Sequence, residues 1–139
     1  MTETKTVTVE RDFAHAPAKL WRALTQPHLI AEWLMTNDFV AEVGHRFNLN
    51  GDWGGTLDCE VLEIETERAL SYRWDHVNDN PAFDLRSVVH FTLEPVAGGT
   101  RLRVEQTGFR PEQKQASGGA KYGWQQFMGK LDDLLGRID

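Results

Sequence analysis

One cysteine in 139 residues, Cys59, leaves no partner for an internal disulfide, and a lone thiol suits a reducing interior. Clustered positive charge is missing as well. The 15 Lys and Arg are scattered with no two adjacent, against 21 Asp and Glu, and the net charge is −6. Binding to nucleic acid or to an anionic membrane surface needs basic clusters that neutralise phosphates, so neither partner is expected. No stretch approaches the ~20 apolar residues of a membrane span, and residues 1–11 carry no apolar core of a signal peptide. The five histidines, at 15, 28, 45, 76 and 90, form no His-Glu-x-x-His and no i,i+4 pair. A metal site is therefore not expected. The glycine pairs lack the following Lys-Ser/Thr of a phosphate loop, and no cofactor is expected. Repeats, low-complexity tracts and linkers are also missing, so residues 1–139 read as one domain, soluble and cytoplasmic.

What is present is period-two patterning of high quality. Leu70, Tyr72 and Trp74 share one parity, with Ser71, Arg73 and Asp75 on the other. Ser87, Val89, Phe91 and Leu93 oppose Val88, His90, Thr92 and Glu94; Thr100, Leu102, Val104 and Gln106 oppose Arg101, Arg103, Glu105 and Thr107. Side chains alternate across a strand, so these segments predict an antiparallel sheet that is wet on one face and covered on the other. The covered face carries no charge. Charges on the wet face (Arg73, Arg86, Arg101, Arg103, Glu94, Glu105) read as solvated cross-strand pairs.

The remaining elements follow from punctuation. Residues 4–13 alternate as a strand. Pro17 and Pro27 each suit a first helical turn, where a missing N–H costs nothing, and they open two short helices. Leu20, Trp21 and Leu24 mark the first, and Ile30, Trp33 and Leu34 the second, which ends before Asn37 and Asp38. A strand is expected at residues 46–50, then a glycine-rich hairpin turn around Trp53. A longer strand at 56–65 changes phase between Val61 and Leu62, which a bulge reconciles. Glu67-Arg68 and Gly98-Gly99 make turns, and residues 76–84 a polar loop. Past Pro111, Gly118-Gly119 predicts an interruption, able to let residues 110–119 move as a lid. Beyond it Ala120, Trp124, Phe127, Leu131, Leu134 and Ile138 recur at helical spacing, widened by Met128 and Leu135. Gly123 is expected to mark a close approach of that helix to its neighbour.

This order is that of an α+β helix-grip fold: a curved antiparallel sheet of about seven strands around a long C-terminal helix, with two short helices after the first strand. Several segments also carry a resemblance to a family. They are Ala16-Pro17 with residues 20–25, Pro27, Trp33-Leu34, residues 44–47, 61–64 and 70–74, then Val89, Phe91, Leu93, Gly98-Gly99-Thr100, Gly108-Phe109 and Gly123-Trp124. Together these resemble the START-like (SRPBCC) superfamily, in its branch of activator-of-heat-shock-chaperone-ATPase homologues. The resemblance implies a hydrophobic cavity between sheet and last helix. In such proteins the cavity holds lipids, sterols, polyketides or hormones; some relatives cyclise polyketides, some assist a chaperone, and many pair as dimers.

On that basis the cavity is expected to be lined by Trp33, Leu34, Phe47, Leu49, Tyr72, Trp74, Val89, Phe91, Gln106, Trp124, Phe127, Met128 and Leu131. Trp33, Trp74 and Met128 are the better lining candidates, lying near element ends or on the helix flank; Phe91, Trp21 and Phe127 read as core packing first. Tyr72 and Gln106 are the polar members able to orient a ligand. No acid, base or nucleophile converges on the inner face, so no catalytic residue is assigned. The expected partner is a small hydrophobic molecule, with a chaperone or a second copy of the chain as other partners and a polyketide cyclase or hydrolase activity as a further reading. Access is expected near Trp33-Leu34, residues 76–84 and residues 110–119.

Overall fold

The computed structural model describes residues 4–52 and 54–139, so the expected turn at Trp53 lies partly outside the described residues. The elements run β1 (Lys5–Phe13), α1 (Pro17–Thr25), α2 (Pro27–Trp33), β2 (Thr36–Asn37), β3 (Arg46–Asn50), β4 (Thr56–Glu65), β5 (Ala69–His76), β6 (Leu85–Val96), β7 (Gly99–Phe109) and α3 (Lys114–Arg137). Every strand pairing is antiparallel, in one sheet of order β1-β7-β6-β5-β4-β3-β2. This is the α+β helix-grip arrangement. The chain begins in one edge strand, crosses by α1 and α2 to the far edge, and returns strand by strand until β7 meets β1.

Parity sets the core. Tyr72, Val89 and Gln106 lie on one rung across β5, β6 and β7, and Leu70, Phe91 and Val104 on the next, all buried. The phase change in β4 is a bulge: Val61 pairs with Tyr72 and Glu63 with Ser71, leaving Leu62 as the extra, exposed residue. Leu57, Cys59 and Val61 face inward before it, and Ile64 is returned to the inner side after it. The wet face carries the ion pairs Arg101–Asp12 at 2.8 Å and Arg103–Glu105 at 3.2 Å, both solvent-accessible and of little energetic weight.

Three expectations are corrected. Gly118-Gly119 does not interrupt α3, which runs unbroken from Lys114 to Arg137. The glycines cost about 1 kcal/mol each in helix propensity. That cost is opposed at the preceding residue, Gln113, which is 5% exposed. Its Oε1 accepts from the Arg110 backbone N–H at 3.0 Å, and its Nε2 donates to the Asp84 carbonyl at 2.8 Å. A hinged lid at residues 110–119 is therefore not the arrangement. Gly123 is not a close-approach point either: a Cβ there would meet nothing within 4 Å. Ser71, assigned to the wet face, is buried, at the position that pairs with Glu63 beside the β4 bulge.

Candidate functional site

Helix α3 lies across the inner face of the sheet, and near its N-terminal half the two do not close. A cavity of about 490 Å³ remains, within the range of small-molecule sites. The sheet contributes Leu57 of β4, Trp74 and His76 of β5, Leu85 of β6, and Gln106 and Phe109 of β7. The helix contributes Ala116, Gly119, Ala120, Gly123, Trp124 and Phe127. Met35, which follows α2, closes one end, and Asn78, Ala82 and Phe83 of the β5–β6 loop form the roof. Small residues along one stripe of α3 explain the hollow, because its lining positions 116, 119, 120 and 123 are all Ala or Gly. At 61% exposure Phe83 stands at the mouth.

Phe109 reaches the wall through a break in parity. Even-numbered residues of β7 face inward up to Gln106, but Gly108 has φ +131° and is the extra residue where β1 pairing shifts from Thr107 to Phe109. A Cβ on Gly108 would lie 2.3 Å from the Arg86 carbonyl oxygen. Glycine there permits both the backbone conformation and the approach of β6 and β7, and turns Phe109 inward to 1% exposure.

The wall is aromatic, and its buried polar groups are two amides, Gln113 at the start of α3 and Gln106 on the sheet. Trp74 and Trp124 face each other at 5.2 Å and 51°, and Trp124 packs on Phe127 at 5.6 Å. Trp124 Nε1–H donates to Gln106 Oε1 at 2.8 Å, Gln106 Nε2 donates to Ser87 Oγ at 3.0 Å, and Ser87 Oγ–H donates to the Trp74 carbonyl at 2.6 Å. Among the described residues no Asp, Glu, Lys or Arg lines the cavity. At the rim the loop is latched down: Phe83 O lies 2.7 Å from His76 Nδ1, Asn78 N–H donates to Asp84 Oδ1 at 2.9 Å, and Arg110 donates to the Pro81 carbonyl at 2.5 Å. The Asn78 N–H, with Arg86 beside it, holds the Asp84 carboxyl below its ordinary range.

Of the residues expected to line a cavity, Trp74, Gln106, Trp124 and Phe127 do so. The other nine sit in the surrounding core, outside the lining. Trp33 is T-shaped to Phe91 and Phe127 and donates its Nε1–H to the Ala23 carbonyl, tying α2 to α1. Phe47 and Tyr72 pack together at 5.1 Å with Phe39 against both. Leu34 caps α2, Leu49 pairs with Leu57, Val89 occupies the rung between Tyr72 and Gln106, and Met128 and Leu131 are buried along α3. Burial pushes the Tyr72 hydroxyl well up and the Cys59 thiol up, the latter aided by Asp75, so neither is ionised near neutral pH. The expected lining lacked Met35, Leu57, His76, Leu85, Phe109 and the small residues of α3, while the roof residues and Gln113 fall within residues 76–84 and 110–119, where access is expected. Phe109 carried a signal of its own, the glycine before it.

Among the described residues no group of three or more His, Cys, Asp or Glu is gathered to hold a metal, and no helix is long and apolar enough to cross a membrane. No curated protein matches the chain. Solved structures do. Protein MLL2253 from Mesorhizobium loti is 64% identical with a TM-score of 0.94, over 97% of this chain and 99% of that one. Protein BH1534 of Bacillus halodurans is 25% identical, TM-score 0.81, over 97% of this chain and 99% of its own. DynU16, a protein of the dynemicin biosynthetic locus, is 25% identical, TM-score 0.81, over 94% of this chain but 46% of that one. A family profile described as activator of Hsp90 ATPase homolog 1-like protein matches residues 14–136, nearly the whole length from α1 to the end of α3. With that match over a helix-grip fold, the chain belongs to the activator of Hsp90 ATPase homolog 1-like family.

Proposed function

We propose that this protein binds a small, uncharged hydrophobic molecule in the cavity between the sheet and α3. The observation that carries the reading is the cavity's coexistence with a well-packed core: about 490 Å³ stays open beside side chains buried to 0–3% on the same faces. Interiors close to crystal-like density wherever nothing holds them apart. Here the Trp124–Gln106 bond fixes helix against sheet at one point, and the small-residue stripe of α3 beside it leaves the space between them unfilled. Access is by way of the β5–β6 loop at Phe83, and a cytoplasmic setting fits the single buried thiol.

The test is native mass spectrometry of freshly purified protein with extraction of what it carries, repeated on Gly123→Leu. A leucine there fills the cavity from the helix side, since Gly123 lines it and the glycine's missing Cβ faces open space. Co-purified or added hydrophobic ligand bound by the native chain and lost in a folded Gly123→Leu protein supports the reading. Equal binding by both removes the cavity from it. The family description supports a chaperone as a second reading; capture of a chaperone ATPase by purified protein carrying no small molecule favours that one.

A further inference from the structure

The relay inside the cavity has a direction, and the direction leaves a remainder. A tryptophan Nε1 only donates, so the Gln106 atom it meets at 2.8 Å is Oε1, and the atom facing Ser87 is Nε2. Ser87 gives its one hydroxyl proton to the Trp74 carbonyl at 2.6 Å, so toward Gln106 it accepts. The direction of every bond in the chain Trp124, Gln106, Ser87, Trp74 is thereby assigned. A carboxamide has two N–H bonds and two acceptor sites on its oxygen. Among the described residues Gln106 uses one of each, and it lines the cavity at 2% exposure, away from bulk water.

The two unused functions are not equivalent. A carbonyl oxygen that already accepts one bond tolerates a vacant lone pair, whereas an unmet buried N–H loses a full bond. The stronger demand is for an acceptor. That acceptor is not a carboxylate, because among the described residues no Lys or Arg lines the cavity to compensate a buried negative charge.

We infer that Gln106 is a specificity-determining residue whose free N–H receives a neutral carbonyl oxygen, so that the ligand is an uncharged ketone, ester, amide or quinone with an otherwise apolar, ring-sized body. This rests on the cavity-binding reading above and narrows it to one chemical class. Trp74 and Trp124 supply the flat surfaces for the body and Gln106 fixes which end goes in.

The experiment compares three probes of one skeleton by quenching of tryptophan fluorescence: 2-acetylnaphthalene, 2-ethylnaphthalene and 2-naphthoate. Transfer from water alone favours the ethyl compound, so any preference for the ketone reports the hydrogen bond. The expected result is that the ketone binds about tenfold more tightly than the ethyl compound, with the carboxylate weakest. In Gln106→Met protein the ketone and ethyl compounds are expected to bind alike. The infrared carbonyl stretch of the bound ketone, read on the native chain and so independent of whether that variant folds, is expected at lower wavenumber than in hexane. Equal binding of ketone and ethyl compound by the native chain, tightest binding of the carboxylate, a ketone preference kept in Gln106→Met, or a hexane-like stretch each overturns the inference while leaving the cavity reading intact. Failure of all three probes to bind overturns both.

Discussion

Gln113 and Asp84 are joined by a 2.8 Å hydrogen bond from the Gln113 Nε2 to the Asp84 carbonyl, which pins the start of the long helix to the loop that roofs the cavity. The same side chain accepts from the Arg110 backbone N–H, so one residue holds three segments together.

Removing that side chain should loosen the roof before it harms the core. In Gln113→Ala the Arg110 N–H and the Asp84 carbonyl both lose a partner, at a cost of about 1–2 kcal/mol. Hydrogen exchange at residues 77–84 is expected to quicken by roughly tenfold, with exchange in β6 and β7 unchanged. Uniform acceleration across the sheet would show that Gln113 supports the whole fold instead.

Acidity should act on the same loop. Asp84 accepts from the Asn78 N–H and from Arg86, and its folded pKa lies below the ordinary 3.8. A depressed pKa means that the stabilisation is fully present above 3.8 and is lost as pH falls through the lower folded value. The Asn78 amide resonance followed by NMR is expected to stay flat from pH 7 to about pH 5, then titrate with a midpoint under 3.8. A midpoint at or above that value would mean the Asp84 contact does not form in solution.

Two glycines with positive φ should respond very differently to alanine. Gly98 sits in an open turn at φ +81°, where an added Cβ meets nothing within 4 Å, so Gly98→Ala is expected to cost only about 1 kcal/mol. Gly108→Ala would drive a methyl to 2.3 Å from the Arg86 carbonyl at φ +131° and must part β6 from β7. A loss of roughly 3 kcal/mol or more is expected, read as a fall in Tm, together with weaker ligand binding as Phe109 shifts.

Cys59 should be chemically silent. The thiol is 5% exposed and its pKa is raised by burial first and Asp75 next, so little thiolate exists at pH 8. Iodoacetamide labelling is expected to run at least roughly a hundredfold slower than for a free thiol and to jump on adding denaturant. Rapid labelling of the native chain would place β4 in an open state.

What was legible in the sequence was whatever depends on local period. The inner faces of β5 and β6 and the buried stripe of α3 alternate without conflict, and the β4 bulge shows itself because Leu57, Cys59 and Val61 disagree in phase with Leu62 and Ile64. What was not legible depends on contacts between distant segments. The unbroken start of α3 is supported by Gln113 reaching Asp84, 29 residues earlier, which no propensity reports. The cavity wall likewise draws Met35, Phe83 and Leu85 from segments whose own patterns say nothing of what they face. Polarity alone marked Gln106, an amide on an otherwise apolar parity.

The pairing of β1 with β7 has a consequence for how the chain acquires its shape. Among the described residues, 5–13 find their only sheet neighbour at 100–109. During synthesis on a ribosome the first strand therefore waits, unpartnered, until six others have emerged. Its alternating Thr, Glu and Asp side chains, at positions 6, 8, 10 and 12, keep that waiting ribbon charged on one side and discourage it from seizing a strand of a neighbouring nascent chain.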